Sequence, residues 1–206
     1  MSFAELAAKL TEIGRQFHAR GWVLGTSGNF SAVVSQRPLR LAITATAVDK
    51  STMSADDIVE IDEHSKVLAG SGRPSAEASL HLALARVRGA GAVLHTHSVW
   101  GTILSEVATE NGLAIEGYEM LKGLAGVGTH EHREWLPILD NTQDWTAAVP
   151  HAEGVLTGHP KAHGFLIRRH GLYTWGRDLA EARRHVEILE FLFEVIARKR
   201  GMTWQQ

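Results

Sequence analysis

Ala90-Gly-Ala-Val-Leu-His-Thr-His97 is a short apolar run entered through glycine and ending in two histidines, and it predicts a buried strand. Side chains alternate across a strand, so His95 and His97 point to one face and Thr96 to the other. The stretch Gly164-Phe-Leu-Ile-Arg-Arg-His170 has the same form. Gly171 and the run Leu172-Tyr-Thr-Trp175 predict a tight return into a further strand, which puts His170 at a strand end, where ligands gather.

These three histidines can meet on one ion. Three neutral imidazoles with an open fourth position make a catalytic rather than a structural divalent site, because closed structural zinc sites use thiolates and the chain has no cysteine. Zinc leads, with iron, manganese or cobalt as alternatives. A His-x-His pair alone is equally well two ordinary strand residues; the His-Gly strand end is what turns the pair into a ligand set.

Outward from that strand, Leu6, Leu10, Ile13 and Phe17 recur at helical spacing behind the capping box Ser2-Phe-Ala-Glu5, and Gly21 stops a first helix over residues 3–20. Residues 30–34 and 39–44 read as paired strands about the turn Gln36-Arg37-Pro38, and residues 58–62 with 66–68 as another hairpin. Pro74-Ser-Ala-Glu77 opens a helix to Arg88, a second helix covers residues 99–108, and the chain then reads as mostly loop to Trp135. A helix over residues 142–151 follows. Asp178-Leu-Ala-Glu181, a second capping box, begins a long apolar helix to Lys199. No repeat, linker or low-complexity tract divides the chain, so a single α/β domain over residues 1–206, layered on a mostly antiparallel sheet, is expected.

Composition agrees with a small enzyme. A length of 206 residues suffices for one sizeable core, and 44% hydrophobic with 21% charged residues is ordinary globular usage. A net charge of −2 with dispersed Lys and Arg argues against a nucleic-acid footprint and for a small-molecule partner. No stretch approaches the length of a membrane span, so no membrane partner is expected. The opening capping box reads as a helix start rather than a secretory leader, so a cytoplasmic location is expected.

Further residues bear on chemistry. Gly25-Thr-Ser-Gly-Asn29 places small and hydroxyl residues before a strand, where backbone N–H groups and side chains can hold an anion, although a plain turn uses the same residues. Ile43-Thr-Ala-Thr-Ala47 closes the partner strand with more hydroxyls, and Ser75 is expected in the first turn of a helix, where unpaired N–H groups favour anions. Glu77 falls in that turn too, either as a helix-start carboxylate or as a contact to metal or substrate. His81, one turn on, reads as a core or surface histidine. Glu119, flanked by apolar residues in Glu116-Gly-Tyr-Glu-Met-Leu-Lys122, is either a solvated glutamate or a partly desolvated one with the raised pKa of a general acid/base. A second His-x-His, His130-Glu-His132, follows Gly126-Val-Gly-Thr and reads as loop.

Taken in order, Gly25-Thr-Ser-Gly-Asn29, Ile43-Thr-Ala-Thr, Arg73-Pro-Ser-Ala-Glu77, His95-Thr-His97 and His170-Gly171 resemble the class II aldolase/adducin-like superfamily across nearly the whole chain. The resemblance implies a three-layer α/β/α sandwich, zinc on three histidines and a ring of four subunits. It implies that His95, His97 and His170 bind Zn2+, and that Ser27, Gly28, Asn29, Thr46 and Ser75 hold the phosphate of a sugar-phosphate substrate. Ala47 stands where relatives often have glycine, and Ala76 where many have a second serine.

Within the superfamily, Glu119-Met-Leu-Lys-Gly-Leu124, Pro137-Ile-Leu-Asp-Asn141 and Arg168-Arg-His-Gly-Leu-Tyr-Thr-Trp-Gly176 look most like the branch that dehydrates a methylthio-sugar phosphate. There the glutamate matching Glu119 is the acid/base. In the aldolases that part falls to the glutamate matching Glu77. This chain carries both; the resemblance assigns acid/base work to Glu119 and substrate or transient metal contact to Glu77. A sugar-phosphate aldolase is the nearest rival, and a metal-free adducin-like scaffold a more distant one. Aldolases of this type resemble one another in completing a neighbouring site with a tyrosine near the C-terminus, whereas this tail reads Gly201-Met-Thr-Trp-Gln-Gln206 and the only tyrosines are Tyr118 and Tyr173.

Overall fold

The computed structural model describes residues 1–108 and 110–201; the tail on which the tyrosine comparison rests lies outside the described residues. Nine strands form one sheet in the order β4-β3-β2-β1-β5-β9-β8-β7-β6, with β5 (Ala92–Thr96) in the middle. On one side of it lie β1 (Asn29–Gln36), β2 (Leu39–Thr44), β3 (Ile58–Asp62) and β4 (Val67–Ala69). On the other lie β9 (Gly171–Gly176), β8 (Gly164–Ile167), β7 (Glu134–Leu139) and β6 (Gly112–Ile115). All neighbours are antiparallel except β7 and β8. A parallel pair needs a long crossover, which α4 (Trp145–Gly158) supplies.

Helices cover both faces. Ala92 and Leu94 pack in a core with α1 (Phe3–Ala19) and α5 (Leu179–Gly201), whereas Val93 packs in a core with α2 (Ala78–Val87) and α4. Strand alternation therefore separates two cores, and the fold is the expected α/β/α sandwich. The short helix α3 (Val99–Val107) packs beside α5. No described helix is long and apolar enough to cross a membrane.

The first helix follows its sequence signals. Ser2 and Glu5 form the reciprocal capping box, and Gly21, at φ +75°, closes the helix with Gly21 N–H on His18 and Trp22 N–H on Phe17. Trp22 then packs edge-on against Phe17. At the start of α5, Asp178 accepts from Glu181 N–H as expected, while the Glu181 carboxylate reaches back to Arg177 N–H rather than to Asp178.

Three boundaries differ from expectation. The helix expected from Pro74 starts at Ala78, because a β-bridge between Ala45 and Pro74 holds residues 73–75 extended; Ser75 is thus outside the first turn and Glu77 occupies the N-cap position. The helix expected over residues 142–151 spans Trp145–Gly158, since Asp144 caps it by accepting from Ala147 N–H. The supposed loop before Trp135 contains β6, a 3-10 turn over Glu119–Gly123 and the first residue of β7. β6 is only four residues long, too short for a period to stand out.

Candidate metal centre

His95 sits at the centre of the sheet, paired with Asn29 of β1 on one side and Tyr173 of β9 on the other. His97 follows the strand end, where its backbone N–H is fixed on the Trp22 carbonyl at 2.8 Å. His170 belongs to the turn between β8 and β9, held by its N–H to the Ile167 carbonyl; Arg169 before it takes φ +55°. The turn is pressed against β5, and a Cβ on Gly171 would come within 1.9 Å of the Thr96 carbonyl, so only glycine fits there.

The three Nε2 atoms converge, at 2.7 Å between His95 and His97, 3.0 Å between His97 and His170, and 3.3 Å between His95 and His170. Ring orientation is set from behind: His95 Nδ1–H donates to the Leu172 carbonyl at 2.8 Å and His170 Nδ1–H to Asn141 Oδ1 at 3.2 Å. Those bonds fix the tautomer and leave the Nε2 lone pairs facing inward. Burial pushes all three imidazoles below their ordinary pKa, with mutual repulsion adding to it at His95 and His97, and brings His97 to about 2. Neutral imidazoles whose Nε2 atoms lie this close to one another form a donor set that fits a divalent metal.

Glu77 faces the same point. Its Oε2 lies 3.4 Å from His95 Nε2 and its Oε1 3.5 Å from His170 Nε2. Although it stands at the N-cap of α2, its side chain makes no capping bond and turns to the histidines instead. Asn29 Nδ2 donates to Oε2 at 2.8 Å, and the Tyr173 hydroxyl donates to the same oxygen. Behind Asn29, the fully buried His81 bonds Asn29 Oδ1 at 2.5 Å through Nε2 and Ser31 Oγ at 2.7 Å through Nδ1. Burial brings the His81 pKa to about 4, so the ring is neutral, donating to Asn29 and accepting from Ser31. His81 is thus a core histidine that orients Asn29.

The three hydroxyl-bearing segments come together. Thr46 N–H bonds the Arg73 carbonyl at 2.9 Å beside the Ala45–Pro74 bridge, joining the second segment to the third. Lys50, buried, ties the first to the second by donating to the Thr26 carbonyl at 3.2 Å and the Val48 carbonyl at 2.9 Å. Burial lowers its pKa to about 8. Ser27 and Ser75 are half-buried, Thr46 is exposed, and Gly28, at φ +72°, is buried. A Cβ on Gly28 would strike Val23 and the His95 carbonyl, so the glycine is what lets this loop lie against the metal strand. Ser75 accepts from Glu77 N–H at 3.2 Å.

Glu119 lies elsewhere. It is exposed in the 3-10 turn that packs on the outer side of α5, where its carboxylate bonds Lys122 at 2.7 Å and lies 3.8 Å from His130. The Lys122 hydrogen bond and charge hold its pKa below the usual carboxylate value, the opposite of the desolvated, raised glutamate considered above. Within one chain Glu77, not Glu119, meets the histidines. Asn141, Tyr173, Lys50 and Glu190 were not apparent as site residues, because each reaches the site through a partner distant in sequence. Glu190 of α5 supports β5 from the other face by accepting from the Thr96 hydroxyl at 2.5 Å.

The model of the class II aldolase and adducin N-terminal domain family matches residues 8–197. The chain is 40% identical over 205 residues to the methylthioribulose-1-phosphate dehydratase of Sorangium cellulosum, covering 98% of this chain and 96% of that one. It is 41% identical over 194 residues to the enzyme of the same name from Marinobacter nauticus, covering 93% and 92%. Among solved structures it is similar to the L-fuculose-1-phosphate aldolase of Thermus thermophilus, with a TM-score of 0.76 at 22% identity over 98% of both chains, a likeness of fold. With its three histidines at the ends of β5 and β8 and nearly its whole length matched, the chain belongs to the class II aldolase and adducin N-terminal domain family.

Proposed function

We propose that this chain dehydrates 5-methylthioribulose 1-phosphate to 2,3-diketo-5-methylthiopentyl 1-phosphate, as a zinc-dependent lyase of methionine salvage that works in the cytoplasm as a homotetramer. The observation that carries the choice of reaction is identity of about 40% over nearly the full length to relatives bearing that dehydratase name. The converged histidines support a metal-assisted reaction beside a carbonyl group.

Zinc on His95, His97 and His170 supplies Lewis-acid polarisation of the substrate carbonyl. The phosphate anchors the substrate on Ser27, Gly28, Asn29, Thr46 and Ser75, and anchoring holds the reacting carbons in place. Asn29 has one of its two amide hydrogens committed to Glu77, leaving the other for substrate. Glu119 takes the C3 proton and returns it to the departing C4 hydroxyl; water leaves, and the enol ketonises to the diketone. Because Glu119 lies beyond α5 from its own chain's histidines, in this reading it serves those of a neighbouring copy. A second reading gives the proton transfers to Glu77, favoured by its 3.4 and 3.5 Å approaches to His95 and His170.

The test is diketone formation from methylthioribulose 1-phosphate by the metal-loaded protein, beside retro-aldol cleavage of fuculose 1-phosphate. Wild type that forms no diketone ends the dehydratase reading, and cleavage of fuculose 1-phosphate instead establishes the aldolase. Glu119→Gln is expected to be inactive, as is His97→Ala, while oligomers co-assembled from the two variants recover activity. A fully active Glu119→Gln with an inactive Glu77→Gln moves the acid/base role to Glu77.

A further inference from the structure

The parallel strands β7 and β8 carry chemistry at both ends. Their C-terminal ends lead to Asn141 and His170 of the centre described above; their N-terminal ends hold Glu134 and His163, with His132 two residues before Glu134. Glu134 is almost wholly buried. Its Oε1 accepts from the His163 backbone N–H at 2.8 Å, and its Oε2 faces His132 Nε2 at 2.8 Å and His163 Nδ1 at 2.9 Å. The three donor atoms are all within 4.8 Å of one another.

The ring of His163 is oriented as a ligand is. Its Nε2–H donates to the Ala125 carbonyl at 2.8 Å, so in the neutral ring the lone pair sits on Nδ1 and points at Oε2. Two lone pairs at that distance require a proton or a cation between them. His132 faces the same oxygen through Nε2, which donates to Oε2 in one neutral tautomer and offers a lone pair to a cation in the other. A buried carboxylate needs compensating charge, and one divalent ion satisfies all three donors at once. A cavity of about 590 Å³ beside His132 and His163 leaves room for water to complete the coordination.

We propose that His132, Glu134 and His163 form a second divalent-cation site, of the two-imidazole, one-carboxylate kind that suits Zn2+. Its role is to clamp. Ala125 bonds His163 through its carbonyl and His185 of α5 through its N–H at 3.1 Å, so a cation here pins the 125–134 segment to both β8 and α5. The site lies a strand's length from the first centre and shares no ligand with it.

The test is Zn2+ titration of chelator-stripped full-length protein by calorimetry, with bound zinc counted by elemental analysis. Wild type is expected to bind two ions per chain with Kd values below about 10 μM. His95→Ala/His97→Ala and His132→Ala are each expected to bind one, and Co2+ in the former is expected to give visible bands of a low-coordinate site. Should His132→Ala fail to fold by circular dichroism, His132→Gln replaces it. One ion in wild type that the His95→Ala/His97→Ala variant loses overturns the proposal, as does retention of two ions by the folded His132 variant.

Discussion

Tyr173 stacks on His95, ring centroids 4.0 Å apart and planes 15° from parallel, while its hydroxyl donates to Glu77. One side chain thus sets both the plane of a metal-binding imidazole and the direction of the carboxylate beside it. Phe165 stacks on the far side of the Tyr173 ring, at 5.1 Å and 1°, so the tyrosine has little freedom to move. Burial, then the Glu77 charge, push its phenol well above the ordinary pKa, so it stays a donor.

Tyr173→Phe separates these two tasks. The stack survives and the bond to Glu77 is lost, so zinc content is expected to stay at the wild-type level while kcat falls about tenfold, the equivalent of one hydrogen bond to a charged group. Metal analysis and steady-state kinetics on the same preparation check this; loss of the metal in Tyr173→Phe contradicts the separation.

Asn141 acts on the metal through His170. Removing its carbonyl oxygen frees the His170 Nδ1–H, so Asn141→Ala is expected to weaken Zn2+ binding about 10- to 100-fold, read by competition with a chromogenic chelator. Unchanged affinity shows that the turn alone orients the ring.

Glu190 gives stability a pH dependence. Burial raises its pKa from 4.5 to about 7, and its second oxygen has no partner among the described residues. The folded state therefore holds this proton more tightly than the unfolded one; the stabilisation is full below pH 4.5, falls as pH rises and is gone above about 7. That loss is up to about 3 kcal/mol. Glu190→Gln escapes it, so its stability relative to wild type is expected to improve between pH 5 and pH 8 in urea unfolding; an equal difference at both pH values argues that Glu190 is ionised throughout.

Ala47 takes φ +60°, a conformation that costs a side chain about 1 kcal/mol or more. Ala47→Gly is expected to raise Tm by about 1 to 2 °C, after the glycine's greater unfolded-state entropy offsets part of the gain. A lower Tm means that the entropy term wins.

Legibility followed the range of each signal. Strand alternation alone placed His95 and His97 together and Thr96 opposite, and the structure has Thr96 on Glu190 behind the sheet. The caps at Ser2 and Gly21 were read correctly because they are contacts within a few residues. Ser75 was misplaced because the bridge holding Pro74 extended comes from Ala45, far along the chain, and no local pattern records it. His132 read as loop and stands in one just before β7; its cluster was not legible, because Glu134 is near in sequence but His163 reaches it only through the parallel pairing of β7 with β8.

By itself the sequence determined most of the elements, the three-histidine set and the family, since periodicity, caps and ordered motifs are written in short stretches of chain. Only the tertiary structure decided which glutamate stands at the histidines. Glu77 and Glu119 are both carboxylates beside apolar residues, and what separates them is non-local: Asn29 and Tyr173 turn one inward between β1 and β9, while packing of its 3-10 turn on α5 leaves the other in solvent. Tyr173 holds Glu77 beside His95 because antiparallel pairing of β5 with β9 brings them together across 78 residues, and pairing of that kind depends on the whole sheet.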